Sequence, residues 1–294
     1  MGAASMSTAA RVGAGSASPV DEEYEFLRCG VRKQGNIVPS EGIRGSRSRL
    51  SEAVTQGLYT VGGPLVMEPR PDDLDNWLPR ILGGTETADN FPLAETIPEF
   101  YFHVEKVATS SAFEYAGCKV ASAVFRSSKG QNLTLELDVQ GKTRSASAFP
   151  DIAASLSDMQ PYIHHQAVVT LDSTAREVDN LEIRIDNGLI LDRHYNSQSR
   201  VSLPEGDRII TVSFDSPFTA DETDLLGIAI AGISGTIVYT NGSYSLTFTF
   251  GNLKASEVGP EVPGRGQEIP LRLELQAFKT DAGTMELSVD NVPA

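Results

Sequence analysis

Residues 130–139 read GQNLTLELDV, and residues 266–275 read GQEIPLRLEL. In the first, Leu133, Leu135, Leu137 and Val139 fall on every second position; in the second, Ile269, Leu271, Leu273 and Leu275 do the same. Successive side chains of a strand point to opposite faces, so each segment reads as a strand with one apolar and one polar face. The alternation recurs at Leu181, Ile183 and Ile185, and at Tyr244, Leu246, Phe248 and Phe250. Shorter candidates lie at 65–68, 100–106, 119–125, 167–171, 208–214, 236–239 and 285–289, with turn chemistry such as Asn187-Gly188, Asn241-Gly242 and Lys129-Gly130 between strands. The chain reads as mainly β.

Two segments break the pattern. Asp72 and Asp73 precede Leu74, Trp77, Leu78, Ile81 and Leu82, and Gly83 and Gly84 follow: an acidic start, an apolar face at helical spacing and a glycine stop. The spacing predicts a short helix that Pro79 should shorten or kink. The second segment has Thr219 and Glu222 at capping-box spacing, then Leu225, Leu226 and Ile230, and ends at Gly232. At an offset of 149 residues Gly57, Asp72, Asp75, Ile81 and Gly83 fall on Gly206, Asp221, Asp224, Ile230 and Gly232. The two quoted strands stand at an offset of 136, so elements follow in the same order twice. Two β-rich halves can be slid into apparent register, but a true duplication is the reading favoured. It predicts a flexible arm over 1–24, a first β domain over 25–150 and a second over 151–294, each a sandwich or barrel with a short flanking helix. The offset falls by 13 because 47 positions separate Gly83 from Gly130 and 34 separate Gly232 from Gly266. That excess points to an excursion over 84–98.

The 294 residues, 40% of them hydrophobic, suffice for a core. Net charge is −15; residues 1–150 carry 15 basic and 18 acidic side chains for −3, and residues 151–294 carry 9 and 21 for −12. Such a balance argues against gripping nucleic acid through phosphates. Cys29 and Cys118 are too few for a disulfide scaffold and read as reduced thiols. No apolar run approaches the roughly 18 residues of a membrane span, and residues 1–18 lack the apolar core of a secretory signal.

Catalytic signals are thin. There is no GxSxG, HExxH, EF-hand spacing or phosphate loop, so no catalytic, metal or cofactor residues are predicted. The adjacent His164 and His165 would point to opposite sides of a strand. Asp72, Asp73 and Asp75, echoed by Asp221, Glu222 and Asp224, read as charges that favour a helix N-terminus rather than as a calcium loop. Arg44, Arg47 and Arg49, without interleaved aromatics, read as partners of an acidic neighbour.

Taken together, EGIRGSRSRL (41–50), YTVGGPLVMEPRPDDLDNWLPRILGG (59–84) and YAGCKVASAVFRSSKGQNLTLELDVQGK (115–142) resemble the major tail tube proteins of long, non-contractile-tailed bacteriophages. VDNLEIRIDNGL (178–189) and PEGDRIITVSFDSPF (204–218) extend the resemblance over roughly 37–280. It implies a structural virion protein, not an enzyme. Tail-tube-type β domains would assemble into rings that stack into a hollow tube, through which the double-stranded DNA genome passes without specific binding. It further implies tail tip, tape measure and terminator proteins as partners, and assembly in the host cytoplasm without membrane. Three duplicated subunits, or six otherwise, would complete a ring; three is favoured.

Within that reading Glu86, Asp89, Phe91 and Leu93 in the 84–98 excursion, Pro260 and Arg265 in the 259–267 tip, and the 1–24 arm are expected at subunit and ring contacts. Glu136, Asp138, Glu182 and Asp186 are expected on a lumen face, where acidic groups repel phosphates. A β-sandwich ligand- or carbohydrate-binding module, or a tail terminator or tip ring, is the alternative.

Overall fold

A computed structural model describes residues 10–42, 48, 51–107, 111–152, 156–218, 230–255, 262, 265, 269–280 and 285–293. The first strands are β1 (Arg11–Gly15), β2 (Glu22–Tyr24), β3 (Arg28–Cys29), β4 (Arg32–Pro39) and β5 (Val54–Met67). Helix α1 (Pro71–Leu82) follows, then β6 (Asn90–Pro92), β7 (Phe100–Val107), β8 (Ser111–Ser128), β9 (Thr134–Gly141) and β10 (Thr143–Ala146). A second run comprises β11 (Ala167–Leu171), β12 (Thr174–Arg176), β13 (Asn180–Asp186), β14 (Ile209–Pro217), β15 (Ile233–Asn241), β16 (Tyr244–Ala255), β17 (Pro270–Ala277) and β18 (Leu287–Pro293). The mainly β expectation is met, with every strand pairing antiparallel.

In the first run β1 pairs with β2 and β7, β7 with β8, β8 with β9 and β10, and β5 with β9 and β4. In the second run β11 pairs with β12 and β15, β15 with β16, β16 with β17 and β18, and β14 with β17 and β13. One pairing scheme thus occurs twice. The runs are joined strand to strand by β8–β13, from Asn180 opposite Ser128 to Asp186 opposite Ser122. Phe125 on β8 and Phe248 on β16 meet at 5.1 Å between ring centroids, within one contiguous apolar core.

The alternation explains the layering. On β9 Leu135, Leu137 and Val139 are buried while Thr134, Glu136 and Asp138 face outward, and β13 and β17 repeat the pattern. Strand β8 spans two pairings: its first part lies against β7 and β10, its second against β9 and β13. Gly117, at φ 62°, lies near the crossover, where a side chain would also strike Lys142.

The expected first helix is present. Pro71 opens it, Asp72 and Asp73 occupy its first turn, and Gly83 at φ 85° closes it by donating to the Pro79 carbonyl at 2.9 Å. Contrary to expectation, Pro79 does not shorten it. Leu78, Ile81 and Leu82 are buried around the proline and anchor the last turn in the core. Trp77 is fully buried between Tyr24 at 5.2 Å and Phe100 at 5.8 Å. The second expected helix lies, for residues 219–229, outside the described residues; its stop, Gly232, has φ 113°.

Residues 11–24, expected in a flexible arm, are corrected to β1 and β2. Val12, Ala14 and Tyr24 are buried. Small side chains here reflect close packing: a Cβ at Gly13 would lie 2.8 Å from the Glu22 carbonyl oxygen and 3.2 Å from Phe149. Residues 1–9 lie outside the described residues.

Candidate functional site

Strands β9, β8, β13, β14 and β17 lie side by side in register, and their polar positions form one face. All four carboxylates expected on a common face are on it: Glu136 and Asp138 from β9, Glu182 and Asp186 from β13. Asp215 and Glu274 join them from β14 and β17. Three arginines are interleaved. Arg126 on β8 bridges the two acidic strands, bonding Glu136 on one side and Glu182 at 2.9 Å on the other. Burial alone would lower the Arg126 pKa, but these bonds outweigh it and raise it. Arg184 donates to Asp186 at 3.0 Å, and Arg272 lies 3.7 Å from Asp215.

Burial raises the Asp138 pKa above the usual carboxylate range, against a 2.8 Å bond from Gln140. Where β8 (from residue 119 on) lies between β9 and β13, and along β14 and β17, the outward-facing side chains include no aromatic ring. The face is an ion-paired, net acidic surface. The interleaved arginines were missed in the sequence reading. The sequence alone carries no signal for this: Arg126 and Glu182 come opposite each other only through the β8–β13 register.

The excursion over 84–98 is stitched to the second run. Strand β6 pairs with β18, and Asn90 donates to Ser288 and Asp290, both at 2.6 Å. The Ile97 amide donates to Glu205 at 2.9 Å, and Arg208 donates to the Ala94 carbonyl at 2.8 Å. Phe91 and Leu93 are buried inside the chain, which corrects the expectation that they contact other copies. Glu86 is exposed and Asp89 half-buried, the Asp89 carbonyl accepting from the Asn291 amide at 3.0 Å. Arg265 is exposed, whereas Pro260 lies outside the described residues.

Two buried polar residues reinforce the junction. The Asn187 side chain, at the end of β13, donates to the carbonyls of Ile81 and Val120, both at 3.0 Å, linking α1 to β8. Arg200 reaches the Val61 carbonyl and Gln140, both at 2.9 Å, and holds the β13–β14 connection over β5.

The histidines carry no catalytic arrangement. His164 and His165 sit in a short 3-10 turn, the first buried and the second exposed. His164 is 2.8 Å from the Ser127 hydroxyl, and its other ring nitrogen meets a backbone carbonyl, that of Val178, at 2.9 Å rather than a carboxylate. Among the described residues no cluster of His, Cys, Asp or Glu is placed to hold a metal. Trp77 and its aromatic neighbours Tyr24 and Phe100 are buried and provide no platform for a sugar ring.

The family model described as "Phage tail tube protein" matches residues 2–277. No curated protein matches the chain.

Proposed function

Because the chain belongs to the phage tail tube protein family, structural proteins of the virion tail rather than enzymes, we propose that it is a duplicated tube subunit, three copies of which close a pseudo-sixfold ring that stacks into a hollow tube. The recurrence of one pairing scheme within the chain carries this reading. The two runs of strands are joined through β8–β13, which supports a division into units of 1–150 and 151–294. Repeating that relation with further copies generates a ring whenever the rotation closes. Six single-unit subunits would achieve the same ring in a protein without the repeat, so three is the number that the duplication favours.

The polar face of β9, β8, β13, β14 and β17 suits the lumen. Six carboxylates against three arginines leave it net negative, and each arginine is engaged by a carboxylate. Phosphates therefore meet net repulsion, so a duplex slides without adhering. Glu86, Asp89 and Arg265 remain candidates for stacking contacts, with tail tip, tape measure and terminator proteins at the ends of the tube and assembly in the host cytoplasm. Negative-stain electron microscopy of the purified protein over a range of concentration and salt tests the reading: rings or hollow tubes are expected, and a monomer under every condition would remove it.

A further inference from the structure

Alternation along β7 places Phe102 and Val104 in the core and His103 and Glu105 on the opposite face of the sheet. Yet His103 and Glu105 are only 1% and 6% exposed. What covers them is the start of the connection between the two runs. Just after β10 the Ser147 amide donates to the Ala112 carbonyl of β8 at 3.3 Å, and the chain then passes over β7 towards β1. Phe149 packs against His103 at 5.2 Å between ring centroids, with the Arg11 guanidinium 4.3 Å from its own centroid. Gly13 of β1, opposite His103, leaves the room: a Cβ there would lie 3.2 Å from Phe149.

The covered imidazole is poorly placed to carry charge. Its Nε2 meets the Ser147 carbonyl oxygen at 3.4 Å, while Nδ1 is buried and has no hydrogen-bond partner among the described residues. Protonation would add a second N–H with nothing to accept it. Tyr101 and Glu105 flank the ring on β7, and Glu114 of β8 stands directly opposite. Strand β1 brings Arg11, bonded to Glu23 of β2 at 2.6 Å and 3.9 Å from Glu105, and the covering segment brings Asp151 towards Arg11. Burial lowers the His103 pKa, against the Ser147 carbonyl, Glu114 and Glu105, which favour the charged ring. Lifting the cover would hydrate the ring, so lifting and protonation favour each other by linkage.

We propose that residues 147–151 form an acid-released latch: neutral His103 holds the start of the connection on the outer face of β7, and protonation of His103 frees it while the sheet beneath stays folded. An uncovered imidazole titrates near pH ~6.5, and the covered one titrates lower. The latch is therefore closed above about pH 6.5, and its opening equilibrium rises by up to about tenfold per pH unit below that, until the covered ring is itself protonated. Release lengthens the free stretch between β10 and the 3-10 turn at His164–Gln166, leaving β8–β13 pairing to tie the runs together. The device operates within one chain, whatever the number of copies in a ring.

The test replaces Phe149 with 4-fluorophenylalanine in the full chain and follows it by fluorine NMR, with a soluble gadolinium chelate as the probe of exposure. The signal should be shielded at about pH 7.5, and its broadening by the chelate should grow at least about threefold by about pH 5. Trp77, fully buried, should keep its buried emission over the same range. His103→Gln, neutral throughout and still able to donate to the Ser147 carbonyl, should stay closed. Glu114→Gln, which removes a carboxylate that favours the charged ring, should move release to lower pH. A signal equally shielded at both pH values, release that persists unchanged in either variant, or release only together with loss of the Trp77 core overturns the latch.

Discussion

Phe91→Ala separates a role inside the chain from a role between copies. Phe91 is fully buried on β6, opposite Val289 of β18. Truncating a buried phenylalanine returns on the order of 150 Å² of apolar contact, about 4 kcal/mol at ~25 cal/mol per Å². The cavity left behind keeps the loss within the range of about 3–5 kcal/mol seen for such changes. Trp77 is the only tryptophan and is itself fully buried, so its fluorescence reports unfolding of this core directly. Urea titration should show a marked fall in the midpoint, while Glu86→Lys, at an exposed position of the same excursion, should leave the midpoint within about 0.5 kcal/mol of the parent. An alanine variant as stable as the parent yet unable to assemble would refute the assignment of β6 as a strap between the two runs.

Asp73, buried and close to Asp72, has its pKa pushed up to about 7, burial being the larger cause. Its folded state holds a proton that the unfolded chain releases near pH 4, so its contribution to stability falls as pH rises from about 4 to about 7 and is flat above, a total of at most about 4 kcal/mol. Asp73→Asn should remove that slope and stabilise the protein at about pH 8, as urea midpoints at about pH 5 and about pH 8 would show. Asn187→Ala strands the carbonyls of Ile81 and Val120 and should cost about 2–4 kcal/mol in the same titration. Glu136→Lys with Glu182→Lys turns the bridged Arg126 site cationic; assembled material should then retain DNA at low salt and release it at high salt, where the parent retains none, as gel retardation would show.

Much of the fold was legible because alternation is a local signal. Leu133 to Val139 and Leu181 to Ile185 declare a buried face without reference to any partner, and Asp72 with Gly83 marks both ends of α1. Strand β1 was illegible because its core positions are Val12 and Ala14; small residues serve close packing and disorder equally well in composition. Pro79 misled because the helix-breaking rule is local, whereas Leu78, Ile81 and Leu82 hold the turn by tertiary burial. The 13-residue excess was visible, but the partner of Phe91 was not, since β18 lies some 200 residues away. Likewise the acidic face could be read from Glu136 and Glu182, whereas Arg126 between them depends on a pairing that sequence does not state.

The most direct test of the central claim is the mass of a single ring, measured by native mass spectrometry or counted in cryo-electron microscopy averages. The duplication account predicts three 31.6 kDa chains around a lumen with pseudo-sixfold appearance. Six chains per ring, or a chain that stays monomeric at every concentration and salt, would contradict it.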